Sequence, residues 1–163
     1  MGMLAAFREH LSQSFDSAEK LDQTLAGLTG GEWQPVAELF SVRLPEFDAV
    51  YALPGAELLG EAVALARGVP LIHAQEWPGT DAPGELLILT AQLKDGSAEE
   101  AVMMQARQQG WQVPLLAAAV EHTNLNGRAR LTPQGLTVRA AVQVASTPHG
   151  LTFERRSPER LAS

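Results

Sequence analysis

FDAVYALPGAELLGEAVALARGVPLIHA, residues 47–74, is the stretch whose reading decides the fold. Residues 47–53 (FDAVYAL) are a short apolar run rich in β-formers, and the breaker Pro54-Gly55 follows at once. Residues 56–67 predict a helix that Gly68 stops, and residues 69–74 (VPLIHA) predict the next strand. A strand, loop, helix and strand in this order call for a parallel pair joined by a right-handed crossover.

Downstream the pattern repeats. A polar, Pro/Gly-rich loop at residues 76–84 (EWPGTDAPG) leads into a buried strand at 86–91 (LLILTA) and a loop at 92–96. A helix follows, with Ser97 as its cap and Glu100 three residues on, and Gly110 ends it. Residues 113–120 (VPLLAAAV) supply another apolar strand, and the alternation in 136–145 suits an edge strand or a hairpin with 151–154. The expected fold is α/β, an open, mostly parallel, doubly wound sheet forming one domain over residues 1–163, with its core at about 47–131. Ligands of such sheets bind beyond the carboxyl ends of the strands, here the loops at Pro54-Gly55, 75–84, 92–97 and 121–130.

Upstream, Met3, Leu4, Phe7, Leu11 and Phe15 recur at helical spacing. A second helix is expected from Asp16, whose carboxylate caps a turn ending in Glu19, with Leu21, Leu25 and Leu28 as its buried stripe and Gly30-Gly31 as its end. The two helices form an N-terminal cover. Residues 33–44 read as a short helix or turn followed by a strand.

At 163 residues and 45% hydrophobic content the chain can bury a core but is too short for two ordinary domains. It has no cysteine, which excludes disulfides and thiolate metal sites and fits a cytoplasmic location. No apolar run approaches the roughly 18 residues of a membrane span, and residues 1–15 mix polar with apolar side chains, so neither signal peptide nor membrane segment is expected. A net charge of −7 repels polyanions and speaks against nucleic acid as a partner. Arg155, Arg156 and Arg160, around Pro158, read as a solvated tail. No two histidines share metal-ligand spacing with a carboxylate, so no transition metal is expected, and no serine sits in a G-x-S-x-G context.

In the order and apolar character of its elements, residues 50–131, about half the chain, resemble the type I phosphoribosyltransferases, particularly their adenine and xanthine branch. There a strand ending in two acidic residues leads into a V-L-A-T-G-G-T loop and a helix. This chain offers LLILTA, QLKDGSA and EEAVMMQARQQG at the same place, and LLAAAVEHTNLNGRARL is similar to the family's next strand, acidic residue and Gly-Arg-x-x-Leu segment. Leu58-Leu59-Gly60 and Arg67-Gly68-Val69-Pro70 also resemble the family's earlier helix and its exit. The family's carboxylates hold the ribose hydroxyls of phosphoribosyl pyrophosphate, and the small residues let backbone amides curl round its 5′-phosphate. Here Thr90 and Ala91 stand at the acidic positions, Asp95-Gly96-Ser97-Ala98 replaces Thr-Gly-Gly-Thr, and the pyrophosphate loop at Pro54-Gly55 carries no charge.

The resemblance therefore implies a phosphoribosyltransferase-like protein, catalytically impaired, that binds a phosphate-containing or nucleotide-like ligand through Lys94, Asp95, Gly96, Ser97, Ala98 and Arg128. The alternative is an active, divergent purine-type transferase in which Asp95 or Glu121, with Mg²⁺, replaces the missing pair. A third reading is a regulatory or protein-interaction module, since related folds often form homodimers and a decayed site leaves the dimer surface intact.

Each candidate also has a plain structural reading. Gly96 and Ser97 suit an ordinary β-α turn with a helix cap, Lys94 a solvated side chain beside Asp95, and Glu121 a polar strand terminus. Trp77 either stacks on a base or folds back on the sheet. His73 either lines the site or is structural, and Met103-Met104 places at least one side chain in the core.

Overall fold

The computed structural model describes residues 2–79 and 82–154. Arg155, Arg156 and Arg160 lie outside the described residues, as do Thr80 and Asp81 of the 76–84 loop.

Six strands form one sheet. They are β1 (Ala49–Ala52), β2 (Leu71–Ile72), β3 (Glu85–Leu93), β4 (Gln112–His122), β5 (Thr137–Thr147) and β6 (Gly150–Phe153), in the spatial order β2-β1-β3-β4-β5-β6. Every neighbouring pair is parallel except β5 and β6, an antiparallel hairpin at the edge. The connecting helices are α4 (Glu57–Arg67), α5 (Ser97–Gln108) and the short α6 (Gly127–Leu131), the last flanked by 3₁₀ turns at Thr123–Leu125 and Thr132–Gln134.

Three helices precede the sheet: α1 (Ala5–Ser12), α2 (Ala18–Ala26) and α3 (Gly30–Arg43). With α4 they cover one face, where Phe7, Leu21, Leu25, Trp33, Phe40 and Leu59 meet Val50, Leu87 and Leu89. The other face carries α5 and α6, and there Met103, Ala106 and Leu131 meet Tyr51, Ile88, Leu116 and Val138. A sheet covered on both faces needs apolar side chains on both, which is why β1 and the middle of β3 and β4 are unbroken apolar runs. Leu87, Ile88 and Leu89 are wholly buried in β3, each worth about 1.5–3 kcal/mol of transfer from water.

Several local expectations are corrected. Ser17, not Asp16, caps α2, its hydroxyl accepting from the Lys20 N–H, while Asp16 pairs with the Lys20 ammonium. Gly30-Gly31 does not end α2, which stops at Gly27, but opens α3. Thr29 and Glu32 close a reciprocal capping box there, at 3.2 and 2.9 Å, and this starts a helix just where the glycine pair reads as a stop. Residues 33–44 form no strand, since Trp33, Val36, Ala37 and Phe40 are the buried stripe of α3. Strand β3 runs on to Leu93 and β4 to His122, so Gln92, Glu121 and His122 belong to strands rather than loops. Ser97 is the first residue of α5, and Gly96, in the left-handed region at φ 84°, is its cap.

Candidate functional site

The strand register brings the carboxyl ends of β3, β4 and β5 level, with Leu93 beside Glu121 and Glu121 beside Gln143. At this edge a groove of about 410 Å³ opens between α2, the β1 loop, the end of β3 and the first turn of α5. Leu25, Ala26, Leu53, Ala91 and Ala98 give it apolar walls, and Pro54-Gly55 forms one lip. Its polar lining is Asp22, Thr90, Gln92, Lys94 and Glu99.

Thr90 and Glu99 form the buried part of that lining, each 4% exposed. The Thr90 hydroxyl donates to Glu99 Oε2 at 2.8 Å. Burial pushes the Glu99 carboxyl above its ordinary range, with the Thr90 bond partly opposing the rise and the Asp95 charge adding to it. Glu99 shares the buried face of α5 with Met103 and Ala106, so the helix aims a carboxylate at the sheet.

A chain of polar contacts ties the N-terminal cover to this edge. Gln92 Nε2 donates to Asp22 Oδ1 at 2.7 Å, and Gln92 Oε1 lies 2.7 Å from His122 Nε2, which must then be the donor. Lys94 Nζ adds a half-exposed pair with Asp22 at 3.3 Å. His122 is 2% exposed, and burial, with the Lys94 charge, holds its pKa below the ordinary histidine value against the pull of Asp22.

The two loops meet their own carboxylates. Asp95 Oδ1 accepts from the Ser97 N–H at 2.9 Å and from the Ser97 hydroxyl at 2.8 Å, and these bonds lower the Asp95 pKa. In the other loop the Gly55 N–H donates to Glu57 Oε1 at 2.8 Å. The 94–96 loop is also braced from behind, because Arg130 Nε donates to the Asp95 carbonyl at 2.8 Å while its Nη1 reaches Glu100. Gly96 and Gly127 make the close approach possible: a Cβ on Gly96 would lie 3.2 Å from the Gly127 Cα, and one on Gly127 only 2.5 Å from the Lys94 carbonyl oxygen.

Of the residues singled out from sequence, Lys94, Ala98, Pro54 and Gly55 line the groove, and Asp95, Gly96 and Ser97 form the turn beside it. Glu121 and Arg128 instead hold each other. Arg128 Nε and Nη2 fork onto the two Glu121 oxygens at 3.0 and 2.7 Å, Nη1 reaches the Val138 carbonyl, and Gln143 adds a third bond to the carboxylate. Trp77 folds back on the sheet, stacked on Tyr51 at 4.7 Å between ring centroids, and the Tyr51 hydroxyl accepts from the Gln75 N–H. His73 is exposed. Among the described residues no three His, Asp or Glu side chains are grouped to hold a metal ion, and Asp95 and Glu121, the carboxylates that would serve Mg²⁺, are committed to Ser97 and Arg128. Also among the described residues, no helix is long and apolar enough to cross a membrane.

Sequence reasoning missed Asp22, Gln92, Glu99 and His122. Glu99 had a signal, a carboxylate four and seven residues before Met103 and Ala106 on one helical stripe. Asp22 had none, because nothing local says that α2 crosses the end of β3.

No protein-family model matches the chain, and no curated protein matches it in sequence. Solved structures do. A phosphoribosyltransferase from Corynebacterium diphtheriae superposes with a TM-score of 0.68 at 17% identity, covering 86% of this chain and 94% of that one. An orotate phosphoribosyltransferase from Aeropyrum pernix gives 0.61 at 16% identity, over 72% and 74% of the two chains. An adenine phosphoribosyltransferase from Saccharomyces cerevisiae, complexed with adenine and an imino-altritol bisphosphate, gives 0.57 at 20% identity, over 69% and 79%. At these identities the likeness establishes the architecture: the chain has the fold of the phosphoribosyltransferases.

Proposed function

We propose that this chain is a phosphoribosyltransferase-like protein whose transferase chemistry is impaired and whose carboxyl-edge groove binds a phosphate-containing or nucleotide-like small ligand. The observation that carries the reading is the position of the chain's own carboxylates, Asp95 on the Ser97 amide and Glu57 on the Gly55 amide. Transfer from phosphoribosyl pyrophosphate needs the sugar hydroxyls held by acceptors and the departing charge met by free donors. Thr90 supplies one hydroxyl already given to Glu99, and Ala91 supplies nothing. The groove itself persists, with apolar walls and a few convergent polar groups, the usual make-up of a small-molecule site.

The test is a thermal-shift titration with phosphoribosyl pyrophosphate, bases, nucleosides, nucleoside monophosphates and inorganic phosphate, each with and without Mg²⁺. A ligand bound only by the native state stabilises it by about 2.7 kcal/mol at a hundredfold excess over Kd. A saturable rise with at least one of them is the expected result. No shift with any of them overturns the binding half of the proposal and favours a fold kept for protein contacts.

A further inference from the structure

Helix α4 is apolar on two opposite faces. Leu59 and Val63 are wholly buried against the core, whereas Leu58 is 46% and Leu65 84% exposed. At about 100° per residue Leu58 and Leu65 point directly away from the buried stripe, with Glu61 and Ala62 on the same outer face at i+3 and i+4. A helix with apolar side chains on both sides calls for a second packing partner. Its neighbour α3 repeats the pattern: Trp33, Val36, Ala37 and Phe40 are buried, and Val42, on the far side, is 71% exposed. Arg67, in the last turn of α4, donates to the carbonyls of Ser41, Leu44 and Pro45, so the last turns of the two helices meet and Val42 and Leu65 stand on adjoining turns.

The charge around this face is mostly of one sign. Glu61 lies within the line from Leu58 to Leu65, Glu38 is one turn before Val42, and both are exposed, as are Glu46 and Glu57. Arg43 is the one exposed basic residue on α3 or α4, since Arg67 is half-buried and spent on the α3 carbonyls and the Phe47 ring. Carboxylates flanking an apolar seam favour a cationic occupant and repel an acidic one. The net charge of −7 acts in the same direction. A second copy of this chain is disfavoured at the seam, because a two-fold pairing of α4 with itself sets the two Glu61 carboxylates side by side.

We propose that the outer face of α4, with Val42 of α3 beside it, docks a basic amphipathic helix of another protein. The partner's apolar side chains pack along Leu58, Ala62 and Leu65, and its lysines or arginines meet Glu61 and Glu38. None of these residues lines the groove at the carboxyl edge, so the inference is independent of what the groove binds.

The experiment titrates the full chain, at about 0.15 M salt, with a synthetic helical peptide of about 20 residues carrying leucines at i, i+3, i+4 and i+7 and lysines on its flanks, and with the same peptide carrying glutamates instead. Fluorescence anisotropy of the labelled peptides reads the affinity. The lysine peptide is expected to bind the parent chain about tenfold or more tightly than the glutamate peptide, and Leu65→Ser and Glu61→Lys are each expected to weaken it about tenfold at unchanged Tm. Both residues are exposed, so neither substitution removes a core contact. No binding of the lysine peptide by the parent chain, or equal binding by the parent chain and Leu65→Ser, overturns the inference. A dimer of the chain in sedimentation equilibrium that Leu65→Ser dissolves also overturns it, and makes a second copy the occupant of the face.

Discussion

Asp95 Oδ1 accepts two hydrogen bonds from Ser97, one from its N–H and one from its hydroxyl, and so places a carboxylate on the first amide of α5. An anion there is favoured by the unpaired amides and dipole of a helix N-terminus. In this chain the favoured anion is covalently attached. In the neighbouring loop Glu57 Oε1 accepts from the Gly55 N–H, two residues before α4 begins, so in each β-α turn facing the groove one amide is taken by the chain's own carboxylate.

The Asp95 bonds hold its carboxyl below the ordinary value of 3.8, so the group contributes stability that is present above that value and is lost as pH falls through its folded pKa. Asp95→Ala lowers Tm at neutral pH, and the difference from the parent protein shrinks on acidification. Circular dichroism melts at a series of pH values measure it. Asp95→Ala with an unchanged Tm at neutral pH would contradict the capping role.

Arg128 and Glu121 form a forked pair in which the Glu121 side chain is 5% exposed and the Arg128 side chain 27%. Removing one partner of such a pair strands the other, at about 3 kcal/mol. Arg128→Ala should lose about that much in urea denaturation, and Arg128→Lys should recover little of it, because an ammonium cannot reproduce the fork. A variant that loses anion binding at full stability would return Arg128 to a phosphate-binding role.

Gly127 lets α6 lie against the 94–96 loop. A methyl group there meets the Lys94 carbonyl oxygen at 2.5 Å and Leu93 Cγ at 2.8 Å. Gly127→Ala is expected to destabilise by about 1–3 kcal/mol through overpacking. Hydrogen exchange should show faster opening of residues 93–97 than of the β1–β2 side of the sheet.

Two buried groups set opposite pH slopes. Glu99 has its pKa raised by burial from 4.5, so the native state binds the extra proton and stability falls as pH rises through the interval above 4.5. Glu99→Gln keeps an acceptor for Thr90 and is expected to be more stable than the parent protein at neutral pH, with the gain absent near pH 4. His122 has its pKa lowered by burial from 6.5, so it favours the neutral ring and stability falls as pH drops below 6.5. His122→Gln flattens that acid limb, and denaturation midpoints across the pH range check both slopes.

The strands of the sheet were largely legible, because a doubly covered parallel sheet writes them as unbroken apolar runs such as LLILTA and VPLLAAAV, while their spatial order was not read from the sequence. The N-terminal boundaries were not. Gly30-Gly31 carries the stop signal of a helix, and only the Thr29–Glu32 capping box makes it a start. At the site, the loops were found and their occupants were not. That Asp95 turns onto Ser97, or that Arg128 turns onto Glu121 rather than a ligand, depends on distances that sequence spacing leaves open. Asp22 reaches Gln92 across 70 residues, and long-range pairs of that kind leave no local trace.

The most direct test of the central claim is a turnover assay of the purified protein with phosphoribosyl pyrophosphate, Mg²⁺ and a panel of purine and pyrimidine bases, reading pyrophosphate release. The account predicts release no faster than in protein-free controls, for the parent chain and for Asp95→Ala alike. Steady, base-dependent release by the parent chain, abolished in Asp95→Ala, would contradict it and make this an active transferase built around a displaced carboxylate.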